Sequence, residues 1–404
     1  MTQEDFLPLI NQHCTIMNIL TYDNTENAKF VGGCVRDFLL TKTISYDIDI
    51  STILTPDEVI KRLKQYKTKN KNNTNLIILD RDKKYGTIVA ILQGQRYEIT
   101  TTRADIACFG RQAEVKFCKD YKIDSLRRDF TFNALYLGVD GKILDFHKGV
   151  EDLKNNHLYF IGDAKQRIEE DFLRIVRYFR FATKFNVKTF SANDIKTINA
   201  LKNGLTNISR ERIRSEIYKM LEYENWLYGL NLLKNNNLIE DVFLVKMPLQ
   251  IEMKNITKDV VNISNNIVKL FYFFQCDVDI LKALKENLKF TREEIKFADF
   301  LINFWQIFSQ KHNLDIEAKM FIYYSNKDYI NDAIKLLKPQ FAIEIENFIN
   351  KIVPSPITAK DIISLGFEKK YIGIALKKIE EMFIKSDFKA TKAELLNYVN
   401  SFKK

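Results

Sequence analysis

Glycine and proline are scarce, with 13 and 6 among 404 residues. That excludes collagen-like chains and most all-β repeat architectures, and it favours helix. The five cysteines (Cys14, Cys34, Cys108, Cys118, Cys276) are scattered and form no CxxC pair. A disulfide framework or structural zinc site is therefore not expected. The cysteines read as small buried hydrophobes in a reducing compartment. The four histidines show no HxxxH or His-Asp pairing, which argues against a histidine-based metallohydrolase. No run of about 18 uncharged apolar residues occurs, so no membrane span is expected. The first residues, MTQEDFLPLINQHC, carry acid where a signal peptide carries base and lack an apolar stretch; a cytoplasmic setting is expected.

What is present is a globular composition, 46% apolar and 28% charged. Thirty Phe and 18 Tyr exclude a disordered chain. At about 150 residues per domain, the length implies two to four domains. Lys and Arg number 62 against 52 Asp and Glu, a formal charge of +10, which suits a polyanionic partner without requiring one.

Residues 1–150 read as mixed α and β. Short β-branched runs fall at Lys29–Val31, Asp47–Ser51, Leu76–Leu79, Thr87–Leu92 and Arg96–Thr102. Gln93-Gly94-Gln95 and Asp140-Gly141 are hairpin turns, and residues 69–75 form a polar loop. From about Asp163 the period changes from two to 3.6. Ile168, Phe172, Ile175, Val176, Phe179 and Ala182 predict one helix, and Ile208–Leu221 predicts another capped by Ser209. The rest is helical in pattern. Thr291–Glu294 and Thr391–Glu394 are capping boxes, and Pro354-Ser-Pro356 marks a break.

The strongest local motif is VGGCVRDFLL (Val31–Leu40), followed by SYDIDIS (Ser45–Ser51). A strand runs into Gly32 and Gly33 and then into a helix. Glycines let the backbone approach a phosphate, and a helix N-terminus offers free amides and a positive dipole end. Arg36 adds a cation in the first turn. Glycines at such turns are often merely conformational. Asp47 and Asp49, at i and i+2 on a strand, share a face and repel each other unless a cation neutralises them. Oxygen-only ligands at that spacing suit Mg²⁺, which keeps waters and takes phosphate oxygens. Glu98, in RYEIT on a later strand, can supply a third carboxylate.

This constellation resembles the polymerase-β-like nucleotidyltransferases. Downstream, SLRRDFTFNALY (Ser125–Tyr136), DFHKGVEDL (Asp145–Leu153), IEEDFLRIVRYFRFA (Ile168–Ala182) and ISRERIRSEIYKML (Ile208–Leu221) resemble, in order, the motifs of the class II tRNA nucleotidyltransferase and bacterial poly(A) polymerase family. Ile357–Phe367 and Tyr371–Glu381 resemble its C-terminal part less specifically. The resemblance implies an α+β protein. A nucleotidyltransferase head with a mixed sheet spans residues 1–155. An all-α neck (156–222), body (223–350) and tail (351–404) follow. It implies addition of CMP and AMP, from CTP and ATP, to the 3′ end of tRNA, with Mg²⁺ as cofactor. Neither a membrane nor a protein partner is implied.

The base-reading chemistry can be argued from residues. Asp171 and Arg174 lie three apart on the predicted helix, so their side chains are neighbours. A carboxylate accepts from an exocyclic amine, and a guanidinium donates to a ring acceptor. Cytosine and adenine present that pattern, whereas uracil and guanine present its reverse. One Asp/Arg pair would thus select C and A without a nucleic acid template. The plain alternative is an i,i+3 surface salt bridge. Arg177 continues the row. Arg180 drifts about 60° further round with each step of three, toward the edge of that face. By resemblance, Arg128 is a nucleotide-binding arginine, Asp129 and Asn133 face the ribose, and residues 103–125 form a mobile lever between C and A addition. Lys377, Lys378 and Lys392 would meet tRNA if the tail grips it.

A poly(A) polymerase shares every catalytic motif. Those polymerases tend to carry Arg-Arg-Phe between the second aspartate and the third carboxylate, where this chain has LDRDKKYGTIVAIL. That difference favours CCA addition. An enzyme adding only A, or an inactive RNA-binding protein on the same scaffold, are the further alternatives.

Overall fold

The computed structural model describes residues 6–44, 46–70, 75–109, 112–247 and 263–401, without the side chains of residues 105–109 and 112–114. The chain forms two compact units, Met1–Val242 and Phe243–Lys404.

In the first unit, two short helices, α1 (Leu7–Gln12) and α2 (Cys14–Thr21), lead into strand β1 (Ala28–Val31), all four residues of which are buried. Helix α3 (Gly33–Thr41) starts directly after Gly32, and β2 (Ile48–Thr52) follows. Helix α4 (Pro56–Lys69) starts with a capping box, Thr55 to Glu58. The strands β3 (Leu76–Leu79), β4 (Thr87–Leu92) and β5 (Gln95–Thr101) come next. A separate hairpin, β6 (Arg103–Phe109) and β7 (Gln112–Phe117), precedes α5 (Tyr121–Leu126). The strands β8 (Leu135–Leu137) and β9 (Ile143–Asp145) complete a seven-stranded sheet in the order β3-β4-β5-β2-β1-β8-β9. All its pairings are antiparallel except β2 with β5, so the sheet is mixed, as expected. Most of the 69–75 loop, and the lever's side chains at 105–114, lie outside the described residues.

Helices follow: α6 (Gly149–Lys154), α7 (Ala164–Glu170), α8 (Leu173–Lys184), α9 (Ala192–Leu201), α10 (Arg210–Leu221), α11 (Trp226–Asn235) and α12 (Ile239–Phe243). An aromatic cluster ties α8 to the chain just before β8. Phe130 and Phe132 lie 5.4 and 5.3 Å from Phe181, ring centre to ring centre, and Phe160 stacks on Tyr178 at 5.4 Å. Edge-to-face and offset pairs of this kind are rigid and wholly desolvated here, so they fix α8 against the head.

Four details depart from the sequence reading. The helix expected across 168–182 is broken at Asp171 and Phe172. Asp171 has extended geometry (φ −156°, ψ 102°), its Oδ1 accepts the Leu173 N–H (3.2 Å) and its carbonyl accepts the Arg174 N–H (3.0 Å). Aspartate competes for backbone donors in this way and so favours helix ends over interiors. Ser209 occupies the N-cap position of α10 without a side-chain cap bond. Asp47 precedes β2 rather than lying on it. Finally, Cys14 is exposed, Cys118 and Cys276 are half-buried, and only Cys34 among the described thiols is the buried hydrophobe expected.

The second unit is helical wherever it is described. The capping boxes at Thr291 and Thr391 form, with reciprocal Thr and Glu bonds. A third, Thr358 with Asp361, starts the helix after the Pro354–Pro356 break. Residues Ile357, Ile362, Ala375, Ile379, Phe383, Leu395 and Val399 make a small separate core there.

Candidate active site

The β1–α3 turn is built for close approach. Gly32 has φ +71° and ψ −123°, a conformation that any side chain would strain. A Cβ there would have room, its nearest neighbour being Arg128 Nη1 at 3.5 Å, so the need for glycine is conformational. Beyond Gly32, α3 begins at Gly33 with no side-chain cap, which leaves its first amides for another acceptor.

Asp49 and Glu98 are register partners on the parallel strands β2 and β5. Asp47 is exposed just ahead of β2. Solvent reaches the Asp49 carboxylate, yet the protein crowds round it. That desolvation, then Glu98, raise its pKa to about 6; Asp47 adds to the rise and Arg128 opposes it. Glu98 has a cation at hand, Arg96 at 2.9 Å. Among the described residues, no three His, Cys, Asp or Glu side chains come together as a group that could hold a metal ion. Carboxylates brought together on and beside adjacent strands are nevertheless the oxygen donors that fit a hard divalent ion with water and phosphate as further ligands.

Arg36 does not project freely. It is buried, bonded to both Asp37 oxygens (2.7 and 2.8 Å) and to Asn133 Oδ1 (2.6 Å), with its guanidinium over the Phe181 ring. Asn133 donates to Asp129 Oδ1 at 2.9 Å. Asp129 Oδ2 accepts from Arg177 Nε and Nη2 at 2.7 and 2.6 Å. Burial alone would raise the Asp129 pKa, but Arg177, Asn133 and Arg174 outweigh it and hold the carboxyl far below the usual range. Arg177 and Arg180 both reach the buried Glu216 of α10, at 3.5 and 2.5 Å. The predicted ribose pair and three of the predicted arginines are thus links in one charge-assisted chain, Asp37–Arg36–Asn133–Asp129–Arg177–Glu216–Arg180. Arg180 ends that chain on Glu216 and Tyr223.

Arg128 packs over the Tyr136 ring and bonds Tyr136 Oη (3.1 Å) and Asp124 Oδ2 (3.3 Å). Asp124 is fully buried. Burial would raise its pKa, yet Arg128, Arg127 and the Tyr136 hydroxyl bring it down to about 2. Asp124 went unnoticed in the sequence. Its spacing of three and four from Arg127 and Arg128 is a legible signal.

Asp171 and Arg174 are held by other residues, not by each other. Asp171 Oδ2 accepts from Arg212 Nη2 of α10 at 2.8 Å. Arg174 donates to Glu170 (2.7 Å) and to the carbonyls of Arg167 and Arg127 (2.8 Å each). The surface salt bridge between the two is therefore not what the fold builds. Glu170, at i−4 from Arg174, was legible; Arg212 and Glu216 had no local signal. In the tail, Lys377 and Lys378 are exposed, whereas Lys392 is paired with Asp361 at 2.6 Å.

A glycine turn opening a helix, carboxylates on neighbouring strands of a mixed sheet, and a helical segment behind them define a nucleotidyltransferase. Residues 28–159 match the family model described as poly A polymerase head domain, and residues 193–248 match that described as probable RNA and SrmB-binding site of polymerase A. The human mitochondrial CCA tRNA nucleotidyltransferase 1 is 32% identical over 98% of this chain and 91% of its own. The CCA-adding enzyme of Pediococcus pentosaceus is 28% identical over 94% of each. The solved Bacillus stearothermophilus CCA-adding enzyme in complex with CTP superposes with a TM-score of 0.80 over 98% of both chains, at 20% identity. The chain belongs to the CCA tRNA nucleotidyltransferase family. Nucleotidyltransferases of this fold generally use divalent metals. No described helix is long and apolar enough to cross a membrane.

Proposed function

We propose that the chain adds CMP and AMP, from CTP and ATP, to the 3′ end of tRNA and so builds or repairs the CCA terminus. The observation that carries this reading is the likeness to full-length CCA-adding enzymes over nearly the whole chain, through the second compact unit as well as the head and first helices whose motifs a poly(A) polymerase shares. Solved relatives with CTP, with ATP and with tRNA support the same substrates here.

The α3 amides and Gly33 receive the triphosphate, and Arg128 faces it beside Gly32. Arg36 acts on the turn from behind, through Asn133. The primer 3′-oxygen bonds to the α-phosphorus as the bond to the pyrophosphate oxygen breaks, and the hydroxyl proton leaves to water. Asp47 and Asp49 would hold Mg²⁺, with Glu98 beside them. When bound, the ion lowers the pKa of the primer hydroxyl and neutralises charge on the leaving pyrophosphate. Asp171 accepts the base amine and Arg174 donates to the ring acceptor. Asp129 and Asn133 meet the ribose edge. Residues 1–155, 156–222, 223–350 and 351–404 serve as head, neck, body and tail, the last meeting tRNA. The free thiols agree with a reducing, cytoplasmic setting.

The test is single-nucleotide addition by the full chain to tRNAs ending before CCA, after CC and after CCA. C, then A, then no further addition is expected. Continued A addition would indicate a poly(A) polymerase, and use of the CC-ending tRNA alone an A-adding enzyme.

A further inference from the structure

Asp171, at the turn before α8, and Arg174, in its first turn, carry opposite charges three residues apart, so mutual neutralisation is the plain alternative for the pair. Such a pair offers a base neither a free acceptor nor a free donor. The fold prevents that collapse with two counter-ions. Glu170 takes Arg174 at 2.7 Å, and Arg212 takes Asp171 at 2.8 Å. Asp171 Oδ1 is fixed from the other side by the Leu173 N–H. A carboxylate has about four acceptor sites, so both oxygens keep a lone pair for a base. Asp171 and Arg212 each retain 21% of their side-chain surface, so the pair is not sealed in the core.

We propose that Arg212 is a positioning residue for nucleotide selection. Its bond to Oδ2 holds the Asp171 carboxylate apart from Arg174 and in one orientation, so the two present an acceptor beside a donor. It touches no reacting atom. Glu216, four residues on along α10, does the complementary work on Arg177 and Arg180. One face of α10 thus sets the charge state presented by α8 and the turn before it. Without Arg212, Asp171 turns to Arg174 and the amine-specific pattern is lost. The inference rests on the base-reading role of Asp171.

The experiment is single-nucleotide addition by the full chain to a tRNA ending before CCA, reading kcat/KM for CTP and for UTP separately. In Arg212→Gln the CTP-to-UTP ratio should fall by about tenfold or more, the scale of one misdirected hydrogen bond to a charged group. Arg212→Lys should fall between wild type and Arg212→Gln, because an ammonium restores the charge but not the planar donor fork. It keeps the test available if the glutamine variant does not fold. A structural role alone would lower both rates together and leave the ratio at its wild-type value; that result in the folded variants overturns the inference. Asp171→Asn in the same assay separates the two failures. If it changes the ratio and the Arg212 variants do not, only the Arg212 role falls; if it too leaves the ratio unchanged, the base-reading role falls with it. In the double variant the ratio should be no lower than in Asp171→Asn alone.

Discussion

Asp49 holds its proton to about pH 6, two residues from Asp47 and one strand from Glu98. In the unfolded chain an aspartate titrates near about pH 4. Between those values the folded state binds more protons than the unfolded one, so Asp49 makes the metal-free protein lose stability as pH rises through that window. A divalent ion displaces the same proton. Thermal unfolding from about pH 4 to about pH 7 should show wild type losing ground to Asp49→Asn without metal, and the difference should vanish for wild type in Mg²⁺. Equal pH slopes in the two proteins would place the shifted group elsewhere. At limiting Mg²⁺, where proton and ion compete for Asp49, incorporation should fall as pH drops below about 6 and recover with added Mg²⁺; Asp47→Ala or Asp49→Ala should abolish it while leaving the fold intact. More than about a tenth of the wild-type rate in either variant would refute the metal-holding role.

Among the elements, the turn between α7 and α8 matters most. A Cβ on Gly204 would lie 2.1 Å from the ring of Phe172, the neighbour of Asp171. Gly204→Ala should therefore destabilise by about 1–3 kcal/mol through overpacking. It should also lower CTP use by shifting Asp171. Gly373, inside the helix Lys369–Lys385, has nothing within 4 Å of such a Cβ. There, alanine should stabilise by up to about 1 kcal/mol. Calorimetry of the two variants gives opposite signs; a stable Gly204→Ala would mean that Phe172 yields freely. The strands of the seven-stranded sheet, the glycine turn and the capping boxes at Thr291 and Thr391 were legible because each is a local pattern, whereas the β6–β7 hairpin, in a charged stretch of low periodicity, was not. The break at Asp171 was not, since apolar positions keep helical spacing straight across it. Asp171's partner was hidden too, because Arg212 lies 41 residues away and only the packing of α10 brings it there.

For the whole molecule, a net charge of +10 suits a polyanionic partner, and the proposed nucleotide site lies wholly in the first of the two compact units. The first unit ends at Val242, so a chain stopped there keeps every residue of the candidate site. It should still bind CTP and ATP, and most of its tRNA affinity should be gone. The full chain's affinity should drop steeply between about 50 and 200 mM salt, as counterion release requires. It should vary little with acceptor-stem sequence, because phosphate contacts carry no base identity. Equal tRNA binding by the shortened and full chains would assign residues 243–404 another task.

The central claim is that side chains, not a nucleic acid template, choose the nucleotide. Its most direct test is the rate of CTP and UTP addition by Asp171→Asn, one nucleotide at a time. The asparagine amide can both accept and donate, so a carbonyl-bearing base no longer meets an obligatory acceptor. Wild type should strongly prefer CTP, each misplaced hydrogen bond being worth about 1–3 kcal/mol. Asp171→Asn should raise UTP use relative to CTP, while Arg174→Ala lowers CTP and ATP use without favouring UTP. A wild-type CTP-to-UTP ratio in Asp171→Asn would contradict the account.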